Sequence, residues 1–158
     1  MENNHLIKNI LLVEDDKDDQ EIFADALHQV TPDCTLTIIE NGIKLLYRFN
    51  DPGFIAPDIL VLDLNLPLMT GLECLRQIKS NPKLSNIKVV IHSTSTSRTE
   101  IETAFKYGAN LYIPKHPDFK EMKMMLEKLL ILKWEKYIPQ PKPSDFVWGR
   151  MIKPRTDY

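Results

Sequence analysis

Apolar positions along the chain fall into short blocks that alternate between two rhythms. Asn9–Val13 is a continuous apolar run ending in acids, the pattern of a strand buried on both faces. Behind an acidic start at Asp18–Glu21, where Asp18 and Asp19 read as helix caps, Ile22, Phe23, Ala26, Leu27 and Val30 recur at helical spacing. Thr35–Ile39 is rich in β-branched residues and predicts a second strand. Asn41-Gly42 punctuates it, Ile43, Leu45, Leu46 and Phe49 predict a short helix, and Asp51-Pro52-Gly53 a turn. Asp58–Asp63 repeats the opening motif: apolar, then an acid. Thr70-Gly71-Leu72-Glu73 has capping-box spacing ahead of Leu75 and Ile78. Asn86–Ile91 is a fourth strand, Ser97–Glu100 starts a fourth helix that Gly108 can end, Leu111–Ile113 is a fifth strand, and Phe119–Trp134 carries a fifth apolar stripe.

Five strands alternating with five helices predict parallel βαβ units in a doubly wound α/β fold, a five-stranded sheet flanked by five helices. The flavodoxin-like strand order 2-1-3-4-5 is the expected arrangement. Pro114 donates nothing to a ladder, so the fifth strand belongs at the sheet edge. Residues 6–137 read as one domain and 138–158 as a Pro-rich tail without sustained period. Phe146 and Trp148 in that tail favour packing against the domain or a partner.

Composition then narrows the function. With 158 residues, 43% hydrophobic and 27% charged, the chain is an ordinary globular domain. A net charge of −2 gives no basic excess for nucleic acid or an anionic membrane. No apolar run approaches the ~20 residues of a membrane span, and Met1–His5 has no signal-peptide character, so a cytoplasmic location is expected. Cys34 and Cys74 sit in apolar segments and read as reduced thiols. The glycine-rich cradles of nucleotide sites are absent.

Ligands of open parallel sheets bind beyond the carboxyl ends of the strands. The strand ends here deliver Glu14, Asp15 and Asp16; then Asp63 and Asn65; then Ser93 and Thr94; then Lys115. Adjacent first and third strands bring Asp15 and Asp63 across one crevice. Ionised carboxylates within ~4–6 Å repel unless one protonates or a cation is shared, and oxygen ligands suit Mg²⁺. A carboxylate can also be the nucleophile of phosphoryl transfer. The parts are a metal site, an aspartate able to form an acyl phosphate, and a lysine and serine to hold phosphoryl oxygens. Each alone reads as a cap or surface group; joint placement on separate strand ends gives them weight. His5, His28, His92 and His116 share no ligand spacing and read as structural or surface groups, and Met122, Met124 and Met125 as helix filling.

These residues give the chain its resemblance to response-regulator receiver domains, the CheY-like family, over roughly residues 6–135. Ile10–Asp16 resembles the opening strand with its acidic pair at Glu14 and Asp15, and Leu60–Gly71 the phosphoacceptor segment with the modified aspartate at Asp63. The resemblance implies that the backbone carbonyl of Asn65 completes a Mg²⁺ site on Glu14, Asp15 and Asp63. It makes Ser93 the switch hydroxyl, Lys115 the lysine after the fifth strand, and Tyr112 the aromatic that swings inward. Ser95 and Asn65 fall where the lifetime of the phosphorylated state is tuned. The family usually follows the lysine with proline, often through a cis peptide; this chain reads Pro114-Lys115-His116-Pro117. The wording His92–Ser95 and the carboxyl-terminal extension also resemble stand-alone receivers that partner phytochromes.

The implied function is a cytoplasmic, stand-alone response regulator of a two-component phosphorelay, a signalling domain rather than an enzyme. It would receive a phosphoryl group from a histidine kinase or phosphotransfer protein and pass the signal to a downstream protein, or dimerise, through the face made by the fourth helix, fifth strand and fifth helix. Three rivals stand beside it. An aspartate-nucleophile phosphatase wants a second acid where Asn65 stands. A flavodoxin-like nucleotide binder conflicts with Glu14–Asp16. A phosphorylation-independent receiver-shaped adaptor is the third.

Overall fold

The computed structural model describes residues 6–149. The amino-terminal Met1–His5 and the tail residues Arg150, Lys153, Arg155 and Asp157 lie outside them. Five strands, β1 (Asn9–Val13), β2 (Thr35–Ile39), β3 (Ile59–Leu62), β4 (Lys88–Ser93) and β5 (Leu111–Pro114), form one parallel sheet in the order β2-β1-β3-β4-β5. Five helices connect and follow them: α1 (Lys17–Val30), α2 (Gly42–Phe49), α3 (Gly71–Ser80), α4 (Arg98–Lys106) and α5 (Phe119–Leu130).

The continuous apolar runs of β1, β3 and the middle of β4 are explained by a core on each face. Successive side chains point to opposite sides of a strand. Leu11, Val13, Leu60, Leu62, Val89 and Ile91 therefore pack with Leu45 of α2, Leu75 and Ile78 of α3 and Ile101 of α4. Their neighbours Ile10, Leu12, Ile59, Val61, Val90 and Leu111 pack on the other face with Phe23 and Leu27 of α1 and Leu126 and Leu129 of α5. The capping box is present: Glu73 N donates to Thr70 Oγ1 at 3.2 Å, and Thr70 N to Glu73 Oε2 at 2.9 Å. Gly108, at φ +100°, ends the α4 segment. Cys34 and Cys74 are free thiols.

Local boundaries differ from expectation in three places. Helix α1 starts at Lys17 and is capped by Asp16, whose carboxylate accepts from Asp19 N at 2.9 Å. Asp18 and Asp19 are therefore first-turn residues and not the cap. Strand β4 is displaced toward Ser93, because a strand buried on both faces offers no polar alternation to fix its ends. Helix α5 stops at Leu130, and Trp134 opens a short 3₁₀ turn.

Pro114 does lie on the edge strand. Beyond α5 the chain returns along that edge. Tyr112 N donates to Phe146 O and Trp148 N donates to Tyr112 O, both at 2.9 Å, making a parallel bridge between Tyr112 and Val147. Phe146 is 2% exposed, its ring 5.0 Å from Phe105 and 6.3 Å from Tyr112. Asn110 anchors the start of this return. Its Nδ2 donates to the carbonyls of Tyr137 and Pro139 at 3.0 and 3.1 Å, while its Oδ1 accepts from Val89 N and Lys79 Nζ. Burial pulls the Lys79 ammonium down to about 8. Ser85 O and Ile87 O, at 3.1 and 2.7 Å, also accept from it.

Candidate functional site

Sheet register assembles the site. Val13 pairs with Leu62 and Leu62 with Ile91, so β1 and β3 end side by side and β4 runs two residues further, to Ser93. Glu14 is one residue past Val13, Asp63 one past Leu62, and Ser93 two past Ile91. Main-chain bonds continue the register past the strands: Glu14 N donates to Ile39 O at 3.0 Å, and Asp63 N to Val13 O at 3.2 Å. Lys115 N donates to Ser93 O at 2.8 Å, seating the lysine beside the fourth strand end. The only cis peptide among the described residues is Ile138–Pro139, so the Lys115–His116 bond is trans.

Carboxylate oxygens of Glu14, Asp15 and Asp63 lie within 4.8 Å of one another. Glu14 and Asp63 are buried, and Asp15 is exposed. Asp63 Oδ1 accepts from Asn65 N at 3.1 Å, which curls the loop after β3 around the carboxylate. Its Oδ2 accepts from Lys115 Nζ at 2.8 Å. The same ammonium donates to Glu14 Oε1 and, at 2.9 Å, to Asp19 Oδ2. Burial pushes the Glu14 carboxyl up to about 7; Lys115 pulls it down, and the Asp63 charge adds to the rise. Burial alone would lower Lys115, but the hydrogen bonds it donates to Asp63, Glu14 and Asp19 outweigh that and hold the ammonium above its ordinary value. Three acids around one lysine leave excess negative charge. Three convergent oxygen donors with a buried carboxyl pushed upward suit a hard divalent cation.

Ser93 is fully buried, and its Oγ accepts from Ser95 N at 3.2 Å. Tyr112 is fully buried too, and its hydroxyl donates to Ser95 O at 2.6 Å. Its ring packs against Phe146, with centroids 6.3 Å apart. The structure thus gathers Glu14, Asp15, Asp63 and Lys115 into one cluster, and links Ser93 to Tyr112 through Ser95. Asn65 is exposed beside Asp63.

Two residues near this site carry no sequence signal that by itself assigns them to it. Asp19 reaches Lys115 from the first turn of α1, and its placement one turn past the first strand end was the only available signal. His92 lies just before Ser93 and is buried, its ring 6.4 Å from Phe23. Burial, with the Lys115 charge, pushes it down to about 4.

Residues 10–127 match the response regulator receiver domain model. The chain belongs to that family. The receiver is 33% identical over 124 residues to the response regulator Rcp1 of Synechocystis sp., a match covering 76% of this chain and 84% of that protein. It is 28% identical over 124 residues to a CheY homologue of Campylobacter jejuni, covering 77% and 91%. Among solved structures, the Mn²⁺-bound form of Rcp1 superposes with a TM-score of 0.70 at 32% identity, covering 77% of this chain and 91% of that one. The phosphorylated cyanobacterial phytochrome response regulator RcpA gives 0.71 at 30% identity, covering 84% and 94%. The fold is therefore that of the phosphorylatable receivers, which act as signalling domains. No helix among the described residues is long and apolar enough to cross a membrane.

Proposed function

We propose that this receiver is a cytoplasmic phosphorylation switch that accepts a phosphoryl group on Asp63 from a histidine kinase or phosphotransfer protein. The observation that carries the reading is the Lys115 ammonium on Asp63 Oδ2, beside the three-carboxylate cluster. An Asp63 oxygen attacks phosphorus, the new O–P bond forming as the donor's P–N bond breaks and its electron pair leaves with the imidazole. Lys115 then takes a phosphoryl oxygen in place of the carboxylate oxygen it holds here. The Ser93 hydroxyl, beside it at the end of β4, takes another. Glu14, Asp15, Asp63 and the Asn65 carbonyl would hold Mg²⁺, which supplies positive charge to the phosphoryl oxygens when bound.

Movement of Ser93 is felt by Ser95, whose amide and carbonyl face the Ser93 and Tyr112 hydroxyls. With Tyr112 already inside, the change reaches the surface through the loop before α4 and the segment lying on β5. A downstream protein, or a second copy of the receiver, reads that face. This is a local charge event that biases a two-state element.

Intact mass after incubation with Mg²⁺ and a small acyl phosphate tests the reading, with Asp63→Asn in parallel. A labile single-phosphoryl adduct that needs Mg²⁺ and vanishes in the variant is expected. Steady donor turnover with only a fleeting adduct would point to a phosphatase. Folded protein that binds Mg²⁺ yet forms no adduct would leave an adaptor that works without phosphorylation.

A further inference from the structure

Asp19 stands outside the carboxylate triad but shares its lysine. Its Oδ2 is 2.9 Å from Lys115 Nζ, with the carboxylate 43% exposed and the lysine side chain only 13% exposed. The two other acids on that ammonium, Glu14 and Asp63, are metal-cluster members. A cation bound there draws on the same two carboxylates that hold the ammonium. Asp19 is the partner of Lys115 that lies outside that cluster.

We propose that Asp19 is a positioning residue, which retains Lys115 at the site when Mg²⁺ claims Glu14 and Asp63. This rests on the function proposed above. A cleft of about 180 Å³ lined by Glu14, Asp19, His92, Thr94, Lys115 and His116 gives the side chain room to withdraw to the Asp19 side. In the metal-free receiver one ammonium is shared among three acids. With two of them neutralised by the cation, the third holds it alone, and that pairing strengthens. Lys115 thereby stays within reach of a phosphoryl group on Asp63 instead of swinging into solvent. Without the Asp19 charge, metal binding strands the ammonium, so the metal binds more weakly.

The test is the dissociation constant for Mg²⁺ alone, measured by calorimetry on the full chain, for Asp19→Asn, Asp18→Asn, Lys115→Ala and the Asp19→Asn/Lys115→Ala pair. Asp18 is an exposed neighbour on the same helical turn. The expected result is a rise of about two- to fivefold for Asp19→Asn, the range for one partly exposed ion pair. Asp18→Asn should give less than half of that, and the Asp19→Asn effect should disappear in the Lys115→Ala background. Equal rises for Asp18→Asn and Asp19→Asn, or an Asp19→Asn effect that survives loss of Lys115, would mean through-space charge and overturn the proposal. If Lys115→Ala does not fold, the two single aspartate variants decide it. Wild type that binds no Mg²⁺ and takes no phosphoryl group overturns the underlying function instead, so the two failures are separable.

Discussion

Gly71 offers the sharpest perturbation of the phosphoacceptor without touching a charge. A Cβ built there meets Asp63 O at 2.1 Å, Leu64 Cα at 2.6 Å and Asp63 C at 2.9 Å. Gly71 N also donates to Leu64 O at 2.9 Å, so α3 begins pressed against the end of β3. All three blocking atoms are backbone, and no rotamer change relieves them. Ordinary contact begins near 3.4 Å, so Gly71→Ala must part the helix start and the Asp63 segment by about 1.3 Å. Overpacking of this kind costs about 1–3 kcal/mol, offset by up to ~1 kcal/mol from alanine's better helix propensity. The expected net loss is about 2 kcal/mol in urea unfolding, a fall of about 5 °C in Tm for a chain this size. Displacement of about 1 Å at a reacting carboxylate also slows chemistry steeply, so Mg²⁺-dependent phosphoryl uptake should drop at least about tenfold. Gly53→Ala is the control: its Cβ meets nothing closer than Asp51 Oδ1 at 3.4 Å, and stability should stay within ~0.5 kcal/mol. Gly71→Ala matching Gly53→Ala in both stability and uptake would refute the close-approach argument.

Three further outcomes are expected. His92 stays neutral in the folded state down to about 4, whereas an unfolded histidine protonates near 6.5. Unfolded chains therefore bind the proton first, and this residue costs about 3 kcal/mol of stability as pH falls from 6.5 through 4, with no effect above 6.5. Urea titrations of wild type and His92→Leu should converge in slope above that window and diverge within it; parallel profiles would count against the burial of this ring. Phe146→Ala removes the anchor of the edge segment, worth about 3 kcal/mol. Amide exchange at Tyr112 and Trp148 should accelerate about a hundredfold while β1 and β3 amides hold; uniform acceleration would make Phe146 part of the global core instead. Asn110→Ala strands the buried Val89 N–H and removes one acceptor from Lys79, and should cost about 2–4 kcal/mol by denaturant unfolding.

The layout of the sheet is legible because the first, third, fourth and fifth strands are short, largely apolar runs closed by a chemically distinct residue, while the second shows only as a β-branched stretch. Parallel strands put all their carboxyl ends together, and this alone brings Asp63, Glu14 and Lys115 to one end of the sheet. What could not be read were contacts set by tertiary register. Asp19 looks like a helix cap in sequence, and only the actual cap at Asp16 frees it to meet Lys115. Asn110 sits just before the fifth strand with nothing in its neighbours to mark it as a hub. The pairing of Val147 with Tyr112 comes from a Pro-rich stretch without period, where pattern carries no signal about what the backbone will bond to.

That pairing bears on how fast anything can assemble on this side of the sheet. Tyr112 has its outward-facing N–H and C=O already bonded to Phe146 O and Trp148 N. The berth is taken: an incoming strand must wait for Phe146–Trp148 to peel away before it can form the same two bonds. Strand addition there is consequently gated by a unimolecular opening, and its observed rate levels off with rising partner concentration at the opening rate of the segment.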